Sequence, residues 1–335
     1  MITRNAVPLQ TENWQKRQAE AVRDPAELLE LLGLPRQLLP AAKQAAREFG
    51  LRVPREYLSR ITPGDIHDPL LRQVLPLAEE LYAQPGFGTD PVGDAAARAG
   101  AGILHKYHGR VLLITTGACG IHCRYCFRRH YPYQQDSLLG QQWQQTLSYL
   151  ESNTDVEEVI LSGGDPLSLS DDRLSRIISD LDAIPHLKRL RIHSRQPIVL
   201  PQRVTSALLA RFEQIRMQAI MVVHVNHARE IDVEVSTALR HLNQAGCVLL
   251  NQSVLLAGVN DTVESLVDLS RRLFETGVMP YYLHQLDRVA GAAHFEVEDQ
   301  HARSLMEGVR AQLPGYLVPR LVREHSGAAN KLPLD

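Results

Sequence analysis

The sequence lacks the features that would place a protein in a membrane or export it. It contains no run of about eighteen apolar residues, the length that a membrane-spanning helix needs. The N-terminal stretch MITRNAVPLQ has no apolar segment of the kind found at the core of a signal peptide. We therefore expect no membrane association and a cytoplasmic location, where thiols stay reduced.

The net charge is also close to zero, and cysteines are few. The 335 residues carry 36 Lys and Arg against 38 Asp and Glu, so bulk charge gives no reason to expect a nucleic acid partner. The chain has only four cysteines. One of them, Cys247, is isolated at the start of an apolar run, where we expect a small core residue.

Two regions of different rhythm meet near residue 105. Residues 1–105 show helical patterns broken by prolines, and we interpret them as a helical N-terminal region. Residues 106–335 alternate short apolar runs with amphipathic helical stretches, a pattern typical of parallel strands covered by helices. The expected strands are residues 110–116, 158–162, 189–193, 219–225, 248–256 and 278–284.

Six strand–helix units are too few for a closed eight-stranded barrel. The sequence therefore predicts an α/β fold with a partial (β/α)6 TIM-like barrel, whose active site should lie at the C-terminal ends of the strands. Polar residues follow four of the predicted strands, as this placement requires. They are residues 193–195, 224–226, 251–252 and 284–287.

Three cysteines lie within eight residues, in the stretch CGIHCRYCFRRH after the first predicted strand. Thiolates are soft ligands that suit zinc or iron–sulfur clusters. Structural zinc needs four ligands, and His122 or His130 could complete such a set. Alternatively, Cys119, Cys123 and Cys126 could hold three corners of a [4Fe–4S] cluster and leave one iron open.

The CxxxCxxC spacing, with Tyr125 before the last cysteine, resembles the radical S-adenosylmethionine (SAM) superfamily. In that superfamily the open iron binds the methionine part of SAM, and reduction of the cluster cleaves SAM to a carbon radical. The stretch LSGGDPL resembles the superfamily's glycine-rich turn, although a plain strand-to-helix turn is the alternative. The resemblance assigns the SAM amino group to four turn residues: Ser162, Gly163, Gly164 and Asp165.

A narrower resemblance covers most of residues 68–335. The matching stretches are KYHGRVLL from Lys106, CRYCFRR from Cys123, SGGDPL from Ser162, PIVLPQRVT from Pro197, LNQSVLLAGVND from Leu250 and YYLHQLD from Tyr281. They resemble the lysine 2,3-aminomutase family. This implies three cofactors, a [4Fe–4S] cluster, SAM and pyridoxal 5′-phosphate (PLP), and a reaction that moves the α-amino group of lysine to Cβ.

PLP enzymes hold their coenzyme on a lysine. By position, the resemblance implies that Lys331, in EHSGAANKLPLD, is that lysine. A solvated lysine in a frayed tail is the alternative, and Gly327 alone remains of the family's run of glycines. The resemblance places Lys106, Tyr107 and Arg110 on the PLP phosphate, with Lys106 replacing an arginine of the family.

The resemblance also implies a set of residues that binds lysine. Arg128 corresponds to the arginine that holds the substrate carboxylate, a task suited to a guanidinium. Asp287 and Glu324 correspond to the two carboxylates that hold the ε-ammonium, although the family has an aspartate in place of Glu324. His224 and Gln252 correspond to residues between SAM and PLP.

The stretches RYCFRRHYP and HSRQPI, and an end four residues after Lys331, narrow the resemblance further. They resemble the short bacterial members of the family whose β-lysine is attached to elongation factor P. This implies conversion of (S)-α-lysine to (R)-β-lysine, a functional link to elongation factor P and its lysine ligase, and a reductant protein such as flavodoxin. Three alternatives stay open: a stand-alone metabolic aminomutase, a radical SAM enzyme without PLP, and a zinc-stabilised binding module.

Overall fold

The computed structural model describes residues 13–136 and 140–334. The part of the chain before the sheet folds into short helices. Asp24 caps the second of them by accepting a hydrogen bond from the Ala26 backbone N–H, and Pro25 occupies the first turn, where its missing N–H costs nothing. These helices are α1 (Trp14–Ala19), α2 (Pro25–Leu31), α3 (Leu39–Glu48), α4 (Arg55–Leu58) and α5 (Pro69–Arg72).

In the described residues, ten strands form one sheet whose spatial order is the chain order. The first three strands pair antiparallel, the third to the ninth pair parallel, and the last pairs antiparallel with the ninth. The strands are β1 (Arg98–Gly100), β2 (Ile103–Tyr107), β3 (Arg110–Thr116), β4 (Glu158–Gly163), β5 (Arg189–Ser194), β6 (Gln218–Val223), β7 (Val248–Val254), β8 (Met279–His284), β9 (Arg320–Arg323) and β10 (Leu332–Pro333).

Helices connect the parallel strands and cover their outer face. They bury one apolar stripe each, as the helical period predicts. They are α6 (Gln141–Ser152), α7 (Asp171–Asp182), α8 (Gln196–Val199), α9 (Ser206–Gln214), α10 (Val233–Gln244), α11 (Val263–Glu275) and α12 (Asp299–Gln312). None of the helices described is long and apolar enough to cross a membrane.

The α/β prediction and its six strands are confirmed, and the structure adds a seventh parallel strand, β9. The sequence pattern missed this strand because only Leu321 and Val322 are buried in it, between two arginines. The sheet also begins at Arg98, before the predicted boundary at residue 105. The division into regions 1–105 and 106–335 itself stays a prediction.

Side chains show that the sheet curls. Tyr107 at the end of β2 donates a hydrogen bond to Glu324, which follows β9, and the Lys106 ammonium lies 3.7 Å from the same carboxylate. Neighbouring strands are about 4.8 Å apart, so a flat sheet would separate β2 from β9 by about 30 Å. The sheet therefore bends into a partial barrel that brings β2 close to the end of the last parallel strand, β9.

The N-terminal helices pack against the barrel rather than standing apart from it. Leu28 and Leu70 belong to a buried hydrophobic cluster that also contains Ile121, Val199 and Leu200. Ile121 lies in the cysteine loop. Val199 is the last residue of α8, and Leu200 follows it. The N-terminal region thus supports the loop that carries the predicted metal ligands.

This packing predicts different effects for two leucines of α2. Leu28 is fully buried, whereas Leu31 is 48% exposed. We expect Leu28→Ala to lower the free energy of unfolding by about 2–5 kcal/mol because it leaves a cavity. Leu31→Ala should change it by no more than about 0.5 kcal/mol. Urea unfolding of both variants measures the difference, and equal losses would contradict the assigned packing.

Candidate active site

Cys119, Cys123 and Cys126 lie in the loop that follows β3, and all three are free thiols and half-buried. Burial, together with the two neighbouring cysteines, raises the pKa of Cys119 well above its ordinary value. Burial also raises the pKa of Cys126 to about 11, with Cys123 adding to the rise. A bound cation would reverse this preference, because metal binding favours the thiolate form.

The donor set fits an iron–sulfur cluster better than a single zinc ion. In the part of the chain that the structure describes, no three His, Cys, Asp or Glu side chains are placed to hold a metal ion together. His122 and His130 turn a ring nitrogen to the carbonyls of Gly50 and Ala290 instead. Three thiols in one loop are instead the kind of ligand that iron–sulfur clusters take.

The two arginines that flank the last cysteine hold the loop in place. Arg124 is fully buried and pairs with Glu80 at 2.6 Å, and Arg129 pairs with the same carboxylate at 2.9 Å. Arg124 also donates to the carbonyls of Phe49 and Gly50. Buried charges must be paired to be tolerated, so this triad fixes the loop against the N-terminal region. Glu80 has no motif in the sequence that would have identified it.

Arg195, at the end of β5, supports the cysteine loop from the barrel side. Its Nη1 lies 2.7 Å from the Sγ of Cys123, and its Nη2 pairs with Glu230 at 2.8 Å and with Gln73 at 2.6 Å. A donor aimed at a sulfur stabilises negative charge on that sulfur. Arg195 therefore places a positively charged donor beside Cys123.

The glycine-rich turn packs directly on the start of the cysteine loop. Gly163 has a φ of +118°, and a Cβ there would lie 2.6 Å from the Thr116 carbonyl oxygen. A Cβ on Gly164 would lie 2.5 Å from the carbonyl oxygen of Ala118. Only glycine fits such a close approach of two backbones. The predicted SAM turn and the predicted cluster loop are therefore neighbours.

Two side chains of this turn already have protein partners. Ser162 accepts a hydrogen bond from Arg128 at 3.0 Å. The Asp165 carboxylate ties the turn to the end of β5, although burial raises its pKa to about 6. It accepts hydrogen bonds from the Ser194 hydroxyl and the backbone N–H groups of Leu167, Arg195 and Gln196. A direct contact of either side chain with SAM stays a prediction.

Charges of alternating sign run across the site. Arg128 pairs with Asp94 at 2.8 Å, and Asp94 pairs with Lys106 at 2.8 Å. Lys106 lies 3.7 Å from Glu324, which pairs with Lys331 at 2.7 Å. Burial opposes ionisation of Asp94, but the charges of Arg128 and Lys106 outweigh it and lower its pKa. Asp94 is the member that sequence reasoning missed, because it sits in a loop of turn-forming residues.

Lys331 is held in place, which answers the alternative of a frayed tail. The next residue, Leu332, pairs with Arg323 in the antiparallel ladder of β9 and β10. The Lys331 side chain is 23% exposed, and its ammonium lies 5.8 Å from the centre of the Tyr282 ring. The structure thus points this ammonium into the barrel. Its bond to PLP stays a prediction.

Asp287, just after β8, has no hydrogen bond or ion pair among the described side chains. Burial raises its pKa to about 7, with the Lys331 charge acting against the rise and the Glu324 charge adding to it. A buried carboxylate without a partner is stabilised by any cation that binds beside it. The structure therefore leaves the Asp287 carboxyl without a side-chain partner but under the influence of the Lys331 and Glu324 charges. Its contact with the substrate ε-ammonium stays a prediction.

His224 and Gln252 lie at the ends of β6 and β7, as expected for residues that face the site. Burial and nearby cations lower the pKa of His224 to about 4, so the ring is neutral. Its centre is 5.8 Å from the ring centre of His193. His193 and His284 are also neutral by burial, and their buried Nε2 atoms have no hydrogen-bond partner in the described structure.

The three residues predicted to contact a phosphate lie together but differ in availability. Lys106 is occupied by Asp94 and by the Val92 carbonyl, to which it donates at 2.8 Å. The Tyr107 hydroxyl is occupied by Glu324. Arg110 stacks on the Tyr107 ring, 4.5 Å from its centre, and has no hydrogen-bond or ion-pair partner among the described residues. Only the guanidinium is therefore free for an anion.

No protein-family model matches the chain. It is similar to L-lysine 2,3-aminomutase of Escherichia coli K12, with 48% identity over 97% of this chain and 95% of that protein. The protein of the same name from Haemophilus influenzae is 43% identical over 99% of this chain and 98% of its own length. The one from Clostridium subterminale is 34% identical over 96% of this chain and 77% of its own length.

Among solved structures, a radical SAM methyltransferase from Sphaerobacter thermophilus is similar over 70% of this chain and 73% of its own length. The TM-score is 0.47 and the identity 15%, a likeness too distant to carry an argument.

The cysteine loop predicts which thiols hold iron. We expect Cys126→Ala purified without oxygen to lose most of its iron and sulfide, because the cluster loses one of its three ligands. Cys247→Ala should keep the wild-type content, since Cys247 is buried in the hydrophobic core away from the loop. Iron and sulfide analysis, together with a visible spectrum, measures the cluster content of both variants. Full iron content in Cys126→Ala would exclude Cys126 as a ligand.

Proposed function

Because the chain belongs to the L-lysine 2,3-aminomutase family, we propose that it converts (S)-α-lysine to (R)-β-lysine for attachment to elongation factor P. The enzyme is an isomerase of the radical SAM type, and its cofactors are a [4Fe–4S] cluster, SAM and PLP. One observation carries the choice of lysine as substrate. The unpartnered Asp287 carboxylate stands in the charge field of Lys331 and Glu324.

Two ends of the site suit the two charged ends of lysine. Arg128 uses its Nε on Asp94 and its Nη1 on Ser162, which leaves Nη2 without a partner among the described residues. That nitrogen can bind the substrate carboxylate. Asp287 and Glu324 can bind the ε-ammonium, whose burial would be strongly unfavourable without compensating anions. A neutral analogue would leave these carboxylates unpaired.

The remaining residues position the cofactors. When bound, the cluster with SAM supplies a carbon radical, and PLP supplies a conjugated ring over which an unpaired electron spreads. Lys331 would hold PLP, and Glu324, 2.7 Å away, holds the Lys331 ammonium whenever the coenzyme is released. The neutral ring of His224 adds no positive charge to a site that must admit a cation. The chain thus contributes placement and charge balance rather than acid–base chemistry.

The destination of the product rests on sequence similarity. The stretches RYCFRRHYP and HSRQPI resemble the family members that serve elongation factor P. A lysine ligase would then be the functional partner, and a protein such as flavodoxin the reductant. A stand-alone metabolic aminomutase is the other outcome that the following assay allows.

The test measures β-lysine by chiral chromatography after anaerobic incubation with lysine, SAM, PLP and a reductant. We expect (R)-β-lysine, and mass spectrometry should find it on elongation factor P when the ligase is added. Lys331→Ala should still cleave SAM reductively but form no β-lysine, which separates the PLP role from the cluster. β-Lysine that the ligase does not transfer would favour the stand-alone enzyme. If no β-lysine forms from lysine, neither the elongation factor P role nor the stand-alone activity holds.

Asp287 predicts how lysine binding depends on pH. Its pKa of about 7 means that the carboxylate is ionised above neutrality and takes up a proton below it. Lysine keeps its ε-ammonium throughout this range, so the KM for lysine should rise about tenfold for each pH unit below 7.

The control variants separate Asp287 from other carboxylates. Asp287→Asn should bind lysine weakly at every pH and lose the rise in KM. Asp172→Asn, an exposed change on α7, should keep the wild-type profile. If Asp287→Asn shows the same rise in KM as the wild type, another group is responsible.

A further inference from the structure

Three parallel strands begin with an arginine, and these arginines are of two kinds. Arg189, which opens β5, pairs with Glu157 and Glu158 at 3.2 Å each. The side chains of Arg110, which opens β3, and Arg320, which opens β9, have no hydrogen bond or ion pair with any described residue. Two neighbouring cations without counter-ions repel each other unless an anion binds between them.

Both unpaired arginines lie near residues that surround Lys331. Arg320 is the register partner of Tyr282, so the two side chains point to the same face of the sheet. The Tyr282 ring lies 5.8 Å from the Lys331 ammonium. Arg110 stacks on Tyr107, whose hydroxyl contacts the carboxylate that binds Lys331. Tyr282 and Tyr107 therefore connect the surroundings of the two arginines to Lys331.

The charges agree with this placement. Burial raises the pKa of Tyr282 to about 12, and the charges of Arg320 and Arg110 both act against that rise. The two guanidiniums thus lie near the same ring. Lys106, in contrast, has Asp94 and the Val92 carbonyl as partners and Glu324 nearby. If a phosphate displaced Asp94 from Lys106, Asp94 would keep only one of its two cationic partners, Arg128.

We propose that Arg110 and Arg320 bind the phosphate group of PLP and that Lys106 stays outside this contact. The planar guanidinium matches the geometry of phosphate oxygens and stays charged at all relevant pH values. The inference rests on the proposed function, because PLP is the coenzyme of that function. It changes the expected phosphate set by adding a residue from β9, the strand that the sequence pattern did not reveal.

The test compares the affinity for PLP with that for pyridoxal, which lacks the phosphate. Absorbance titration measures both on the purified enzyme without any turnover. We expect Arg320→Ala to weaken PLP binding about tenfold to a hundredfold, the usual effect of losing one charged hydrogen-bond donor. Pyridoxal affinity should not change, and Arg320→Lys should recover part of the loss.

The matched control is Arg189→Ala, which removes an arginine from the same position of another strand. It should leave the ratio of the two affinities at the wild-type value because its guanidinium already has carboxylate partners. An unchanged ratio in Arg320→Ala would overturn the assignment. So would a loss of phosphate selectivity in Lys106→Met as large as that in Arg320→Ala.

Inorganic phosphate separates this inference from the proposed function. In calorimetry, the wild type should bind phosphate and Arg320→Ala should bind it much more weakly. If that holds while the wild type binds no PLP, the anion site stands and the proposed function fails. If PLP binds equally well to both proteins, the phosphate assignment fails and the proposed function is unaffected.

Discussion

The site depends on Glu324, the first residue after the last parallel strand. Its carboxylate accepts hydrogen bonds from Tyr107 and Lys331 and lies 3.7 Å from Lys106. No described backbone ladder joins β2 to β9, so these side-chain contacts are what hold the two ends of the curled sheet together. A carboxylate surrounded by donors tolerates burial, and burial in turn protects the pairs from screening by salt.

The N-terminal region contributes as much to the site as the barrel does. It supplies Glu80, which holds two arginines of the cysteine loop, and Asp94, which holds the third. The arginines at 124, 128 and 129 are close in sequence but serve different ends. Arg124 and Arg129 fix the loop, whereas Arg128 binds Asp94 and the Ser162 hydroxyl. A radical reaction needs such restraint, because the protein mainly sets the position of groups whose chemistry comes from cofactors.

Much of the fold and part of the site were predictable. Strands such as β3, β4 and β6 were found because each carries a run of apolar residues that stands out from its flanking helices. In β5 the apolar residues alternate with polar ones, the period of a strand. The strand β9 was missed because its buried part is only two residues long. Asp94 was missed because a single acidic residue in a loop has no local pattern, and Glu80 because it lies in a short 3-10 helix beside another glutamate. The residues expected to bind the PLP phosphate were predicted by their position in the sequence. In the structure, however, Lys106 is paired with Asp94, and the Arg110 guanidinium has no ion pair among the described residues.

The sequence by itself determined what is local. The spacing of three thiols in one loop and the glycines that permit close backbone contact depend on neighbouring residues, so they can be read without the fold. Tertiary structure alone decided which charges meet. Lys106 and Glu324 are more than 200 residues apart along the chain and come within 3.7 Å only when the sheet curls. Whether a cation is paired or free is a property of that curvature, because electrostatic attraction acts over a few ångströms in space and not along the sequence.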